Sequence, residues 1–215
     1  MKRSRPSRAS LLPLLAALPI SLLGCFGSPG WGAIKRLMYE HPGRDRWQQP
    51  EQVVAALALE AGDVVADLGA GGGYFTYPIA EAVGESGRVY AIDVDDALLA
   101  YVAKQSEKRG LPQIVTVRAS ETDPGLAADS VDLIFLANVF HHLPKPDVYF
   151  AGARQVLRRG GRVAIIEVAE DGFPRGHATS PEEIAEQMAA AGYALVEQHP
   201  FLDRQSFQVF APRAD

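Results

Sequence analysis

Three observations in this 215-residue chain predict an α/β fold, a parallel sheet with helices on both faces. Short β-compatible runs alternate with segments of helical period, as in linked βα units. One run, Val131–Ala137, is almost continuously apolar, as expected of a strand buried on both faces. Another, Val64–Asp67, runs into a turn with glycines at 69, 71, 72 and 73, and a helix follows from about Tyr74.

In chain order, residues 27–50 are rich in Gly, Pro, Trp, Arg and His and read as a linker and an irregular lid, with Tyr39, His41 and Trp47 ahead of the core. Pro50 opens a helix with Val53, Val54 and Leu57 on one face, and Gly62 follows its end. The first strand is Val64–Asp67, and a helix covers about 74–83. The second strand is Arg88–Asp93. Asp95 is a suitable N-cap for a helix running to Arg109, which Gly110 and Pro112 stop. Ile114–Val117 and Val131–Ala137 are the third and fourth strands. Pro146–Leu157 reads as helical and Arg162–Val168 as the fifth strand. Ser180-Pro-Glu-Glu183 is a capping box that opens a helix to about Ala191. Tyr193–Gln198 and Gln205–Phe210 close the chain as two strands able to form a hairpin. The domain plan is a leader (1–25), a linker and lid (26–49) and one catalytic domain (50–215).

The glycine turn points to a ligand. Without Cβ atoms the backbone turns tightly and reaches contact distance of a bound group. The free N–H groups of the following helix suit a carboxylate or phosphate. Twenty residues beyond Gly73, Asp93 ends the second strand, where an acid accepts hydrogen bonds from both hydroxyls of a ribose. An adenosine-containing cofactor follows from the pair. A dinucleotide turn wants G-x-G-x-x-G, but its third position from Gly69 is Tyr74. An NAD(P)-dependent oxidoreductase is therefore disfavoured.

The pattern Asp67-x-Gly69-x-Gly71-x-Gly73 resembles the first motif of the class I S-adenosylmethionine-dependent methyltransferases. Asp93, Ser130–Asn138, Val139–Leu143 and Leu157–Ile165 resemble its later motifs, in order, over roughly residues 50–210. The likeness is closest to the small-molecule branch. It implies a Rossmann-like, doubly wound, seven-stranded sheet of order 3-2-1-4-5-7-6 with strand 7 antiparallel, and S-adenosylmethionine as cofactor. It also implies roles for single residues. Gly69, Gly71 and Gly73 let the backbone approach the methionine part. Asp67 holds its ammonium, directly or through water, or else caps the turn. Asp93 takes the ribose, and Asn138 orients the amino group or a substrate. Ser120 stands where the family often has an Asp that meets the adenine amino group. His141 and His142, where the active-site wall begins, are candidates for acid–base work, because histidine titrates near neutrality. His177, in the loop after the fifth strand, is another. No histidine pair has metal-ligand spacing on a helix, and the acids form no ligand cluster, so no metal is expected.

The chain carries 21 basic and 26 acidic residues, a net charge of −5. Residues 1–25 hold four bases and no acid, so the remainder stands at −9. Such a domain lacks the basic field that captures nucleic acid. A small-molecule methyl acceptor is expected, attacked through oxygen or carbon. Residues 1–8 are basic, and Leu11–Phe26 is a short, largely apolar run, the pattern of a secretory leader. Leu22-Leu-Gly-Cys25 resembles a bacterial lipoprotein processing site. The expectation is export, periplasmic or membrane-anchored through a lipidated Cys25, and a cytoplasmic enzyme if the leader does not function. An exported, non-catalytic binding protein on the same fold is the alternative.

Overall fold

The computed structural model describes residues 43–120, 122–168 and 178–214. The leader with Cys25, Tyr39 and His41, and His177 lie outside these residues. Where the sequence predicts an irregular lid, the described part is a single helical turn, α1 (Arg44–Gln48). Gln49, held at φ +44°, ends it and redirects the chain into α2 (Pro50–Ala56), which has proline in its first turn. Gln48 is fully buried, and the Gln49 side chain donates to the Phe201 carbonyl at 2.9 Å. The turn is thus fastened to the domain at its C-terminal end.

The other elements are β1 (Val64–Leu68), α3 (Thr76–Val83), β2 (Arg88–Asp93), α4 (Asp96–Arg109), β3 (Ile114–Arg118), β4 (Val131–Ala137), a 3₁₀ turn (Phe140–His142), α5 (Pro146–Ala153), β5 (Leu157–Val168), α6 (Pro181–Ala190), β6 (Tyr193–Gln198) and β7 (Gln205–Pro212). Two predicted caps form. The Asp95 carboxylate accepts from Ala97 N, and the Ser180 hydroxyl accepts from Glu183 N. Gly110 closes α4 in the left-handed region, at φ +67°.

The sheet has the order β3-β2-β1-β4-β5-β7-β6. The pairs among β1 to β5 are parallel, and β7 runs antiparallel to both neighbours. This is the topology that the resemblance implies. Its two faces alternate along each central strand. Leu133 and Phe135 of β4 pack with α2, α3 and α4 on one side, whereas Ile134 and Leu136 pack with α5 and α6 on the other. Both sides are apolar, which is why β4 reads as a continuous hydrophobic run.

One boundary differs from the sequence expectation. The helix expected over 146–157 ends at Ala153, a 3₁₀ turn covers Arg154–Val156, and Leu157 already pairs with Val131 in β5. The register then shifts, so that Leu133 pairs with Arg162, and the extra residues loop out around Gly160 at φ +84°. An apolar Val156-Leu157 pair serves a helix end as well as a strand start, so periodicity alone places this border poorly.

Candidate active site

The connections reverse direction between β1 and β4, and the crevice at their carboxyl ends is where such sheets bind ligands. A cleft of about 790 Å³ opens there, of a size suited to a small-molecule ligand. It gathers Asp67, Gly69, Gly71, Asp93, Ser120, Asn138 and His142 from four separate loops.

The three glycines do different work. Gly71 N donates to Asp93 Oδ2 at 2.9 Å, so the turn is bonded directly to the acid of β2. Gly69 sits at φ +72° on the cleft, and a Cβ there would lie 2.3 Å from Val139 Cγ2. Its bareness lets the segment after β4 close in. Gly73 is not among the cleft-lining residues. At φ +86°, the space of its missing Cβ is filled by the Tyr77 ring, whose hydroxyl donates to Gly72 O at 3.1 Å. Gly69 N and Ala70 N both donate to Ile92 O, at 2.8 and 3.0 Å, and hold the turn against β2.

Asp93 accepts a second backbone bond, from Asp95 N to Oδ1 at 2.9 Å. Each carboxylate oxygen holds one amide and keeps acceptor capacity for a further donor. The side chain is fixed in direction, as a clamp for a diol requires. Asp67 is 3% exposed, and Oδ2 accepts from the Thr76 hydroxyl at 2.5 Å. Burial pushes its pKa from 3.8 up to about 7, against the lowering effect of Thr76. A buried carboxylate with one hydroxyl partner is a strong acceptor for a cationic group.

Asn138, at φ +59°, turns the chain out of β4, and its Oδ1 accepts from Gln205 Nε2 at 2.6 Å. Ser120 is exposed, and its hydroxyl is engaged within its own loop, accepting from Thr122 N at 3.3 Å. His142 lines the cleft, and its ring centroid lies 4.0 Å from that of His141. His141 itself is turned to a different partner. Its Nδ1 meets Glu167 Oε1 at 2.9 Å, and its backbone N–H donates to Glu167 Oε2 at 3.2 Å. Glu167 is wholly buried and also accepts from Val168 N at 2.8 Å. Among the described residues, no three His, Cys, Asp or Glu side chains gather as a metal site requires.

Five participants escape the sequence reading. Thr76 and Gln205 hold Asp67 and Asn138, Glu167 holds His141, and Arg44 and Tyr149 line the cleft. Arg44 lies with its guanidinium 3.7 Å from the centroid of the Tyr74 ring, and the Tyr74 hydroxyl donates to Asp45 Oδ1 at 2.6 Å. The turn α1 thereby brings Arg44 to the cleft wall beside Tyr74. Only Glu167 left a sequence signal: a lone acid inside the apolar run Val163–Val168 demands a partner.

A glycine turn bonded to a strand-end acid, at the switch point of a doubly wound sheet, defines a nucleoside-binding α/β protein. Comparison with known proteins carries this further. Residues 66–165 match the methyltransferase domain family. A probable cobalt-precorrin-6B C(15)-methyltransferase (decarboxylating) of Pyrobaculum calidifontis is 30% identical over 164 residues, 74% of this chain and 72% of that protein. A ubiquinone/menaquinone biosynthesis C-methyltransferase of Rhizobium etli is 32% identical over 127 residues, 58% of this chain and 49% of the relative. An S-adenosylmethionine-dependent methyltransferase structure from Aquifex aeolicus superposes with a TM-score of 0.77 at 25% identity, covering 83% of this chain and 97% of that one. The chain belongs to the class I S-adenosylmethionine-dependent methyltransferase family. It spans about half the length of the first curated relatives it matches. The family's cofactor is S-adenosylmethionine, and the cleft offers groups that suit it: a bare turn, an acid held by two backbone amides and a buried acid.

Proposed function

We propose that this protein transfers a methyl group from S-adenosylmethionine to a small organic acceptor through an oxygen or carbon nucleophile. The observation that carries the reading is the Gly71–Asp93 hydrogen bond, which joins the glycine turn and the ribose acid into one rigid cradle. Bound there, the cofactor supplies a methyl group on a positively charged sulfur, a leaving group already activated. The protein's residues have three tasks. Asp67, supported by Thr76, takes the cofactor's ammonium. Asp93 takes the sugar hydroxyls. The Asn138–Leu143 wall, with His142 on the cleft, places the acceptor and receives its proton where the nucleophile still carries one. Alignment supplies most of the rate, so the acceptor leaves little trace in the residues. Relatives named for ubiquinone and menaquinone biosynthesis, and an aklanonic acid methyltransferase of a Streptomyces strain, 33% identical over 103 residues, support an organic acceptor. The net charge of −9 outside residues 1–25 argues against a nucleic-acid one.

Calorimetry with S-adenosylhomocysteine tests the cradle. The wild type is expected to bind, and Asp93→Ala to bind about 10- to 100-fold more weakly, since up to two hydrogen bonds to a charged group are lost. Equal affinity of the two proteins refutes the assignment of Asp93.

A further inference from the structure

Among the described residues, one side-chain amide lines the cleft, and its direction is set from outside it. Asn138 follows β4 and is pinned twice. Its backbone N–H donates to Ile166 O at 2.8 Å, and its side-chain Oδ1 accepts from Gln205 Nε2 at 2.6 Å. Gln205 is the first residue of β7 and pairs with Val168, the last of β5. Because β7 runs antiparallel to β5, its N-terminal end comes to the carboxyl ends of the parallel strands. Gln205 is 5% exposed and is not among the cleft-lining residues, so it acts on the cleft through Asn138. Asn138 Nδ2 has no hydrogen-bond partner among the described residues, yet it is not sealed off as the buried, unpartnered Gln205 Oε1 is. Two primary amides can pair in either sense. The reverse sense would bury an unmet Gln205 NH2 in place of an unmet carbonyl, and buried N–H groups without a partner are the rarer of the two.

We infer that Gln205 is a positioning residue: by drawing back the Asn138 carbonyl it leaves the Asn138 amide N–H to the methyl acceptor, which presents an oxygen there, as a phenol or an enol does. Two roles are open to Asn138, the cofactor's amino group or the substrate. An ammonium is itself only a donor and cannot accept from an N–H, so the substrate role remains. His142 stands four residues further along the same segment and lines the same cleft. As His142 takes the acceptor's proton, the Asn138 N–H holds the oxygen and favours its anionic form. Methyl transfer then forms the new oxygen–carbon or carbon–carbon bond as the sulfur–carbon bond breaks, and the electron pair of the broken bond stays on sulfur.

This inference rests on the cofactor reading above, and the test separates the two. Wild type, Gln205→Leu and Gln205→Glu are compared by melting temperature and by calorimetry with S-adenosylhomocysteine. Transfer of labelled methyl from S-adenosylmethionine to hydroquinone, catechol and acetylacetone is then measured at pH 8. Wild type is expected to label at least one of the three. For that acceptor Gln205→Leu, which frees the Asn138 amide to turn, should lower kcat/KM about 3- to 10-fold. Gln205→Glu should lower it about 10- to 100-fold, because an ionised carboxylate accepts the Asn138 N–H and turns the amide oxygen onto that of the acceptor. Both variants should bind S-adenosylhomocysteine within about twofold of wild type. The order of the two losses is the signature, since a merely structural glutamine predicts that glutamate, nearly its isostere, does less harm than leucine. Glutamate no worse than leucine, loss of the fold in either variant, a matching loss of S-adenosylhomocysteine affinity, or a wild type that labels none of the three overturns the role of Gln205 and leaves the cofactor reading standing. Failure of the wild type to bind S-adenosylhomocysteine overturns both.

Discussion

Glu167→Ala is expected to destabilise the domain by about 3–5 kcal/mol, read as a drop in the denaturant midpoint. The carboxylate lies in a fully buried position between β5 and the 3₁₀ turn. Its Oε1 serves His141 Nδ1 and Val168 N, and its Oε2 serves His141 N. Alanine leaves two backbone N–H groups and an imidazole nitrogen without this partner and opens a cavity beside them. Polar groups stranded in this way cost their full desolvation, which outweighs the apolar gain of the smaller side chain. Glu167→Gln keeps a carbonyl oxygen for part of the set and should lose markedly less. A loss below about 1 kcal/mol for alanine would show that the pair does not anchor the wall. The same substitution should loosen His141 and, through ring contact, His142 on the cleft.

The second large effect concerns Asp67 and pH. Its carboxyl titrates near 7 in the folded domain against 3.8 ordinarily, chiefly because burial penalises the charge. The folded state therefore holds a proton that the unfolded chain releases at much lower pH. The contribution to stability is full below about pH 4 and is lost as pH rises to 7, after which it stays flat. At about 1.4 kcal/mol per unit, the ionised carboxylate costs the ligand-free domain up to about 4 kcal/mol at pH 8. Asp67→Asn, which still accepts from Thr76, should be more stable than wild type at pH 8 and equal to it near pH 4. Cofactor binding is expected to show the opposite preference, because an ammonium favours the ionised acid. Wild-type affinity for S-adenosylhomocysteine should fall toward tenfold per pH unit below 7, with uptake of a proton by the buffer. Asp67→Asn should bind more weakly at pH 8 and lose that slope. A wild-type stability curve indifferent to Asp67→Asn between pH 4 and 8 contradicts the raised pKa.

Much of the frame was legible from local pattern. β1, β2 and β4 are short and apolar on alternate or all positions, and each carries at or next to its end a polar residue that lines the cleft: Asp67, Asp93 and Asn138. Such strand-end residues are readable because the sheet brings all its carboxyl ends together. What the sequence hid depends on contacts across many residues. Glu167 meets His141 from 26 positions away, and Gln205 reaches Asn138 from 67. Neither spacing has a period. The glycines were legible only in part, for a related reason: Gly69 and Gly71 line the cleft and Gly73 does not. All three look like bare backbone for a ligand, yet Gly73 is vacated for Tyr77 and Gly69 makes room for Val139 while also lining the cleft. A glycine in sequence shows where a Cβ is unwelcome but not what displaces it. The α1 turn escaped notice because five residues of mixed charge carry no amphipathic signal. Its place is set by the buried Gln48 and by Arg44 on the Tyr74 ring.

A crystal grown with S-adenosylhomocysteine would test most directly whether the turn and the strand-end acid form one cofactor cradle. Electron density is expected in the cleft, with both ribose hydroxyls on the Asp93 carboxylate and the amino group toward Asp67. An empty cleft at saturating ligand, or a nucleoside whose sugar does not meet Asp93, would contradict it.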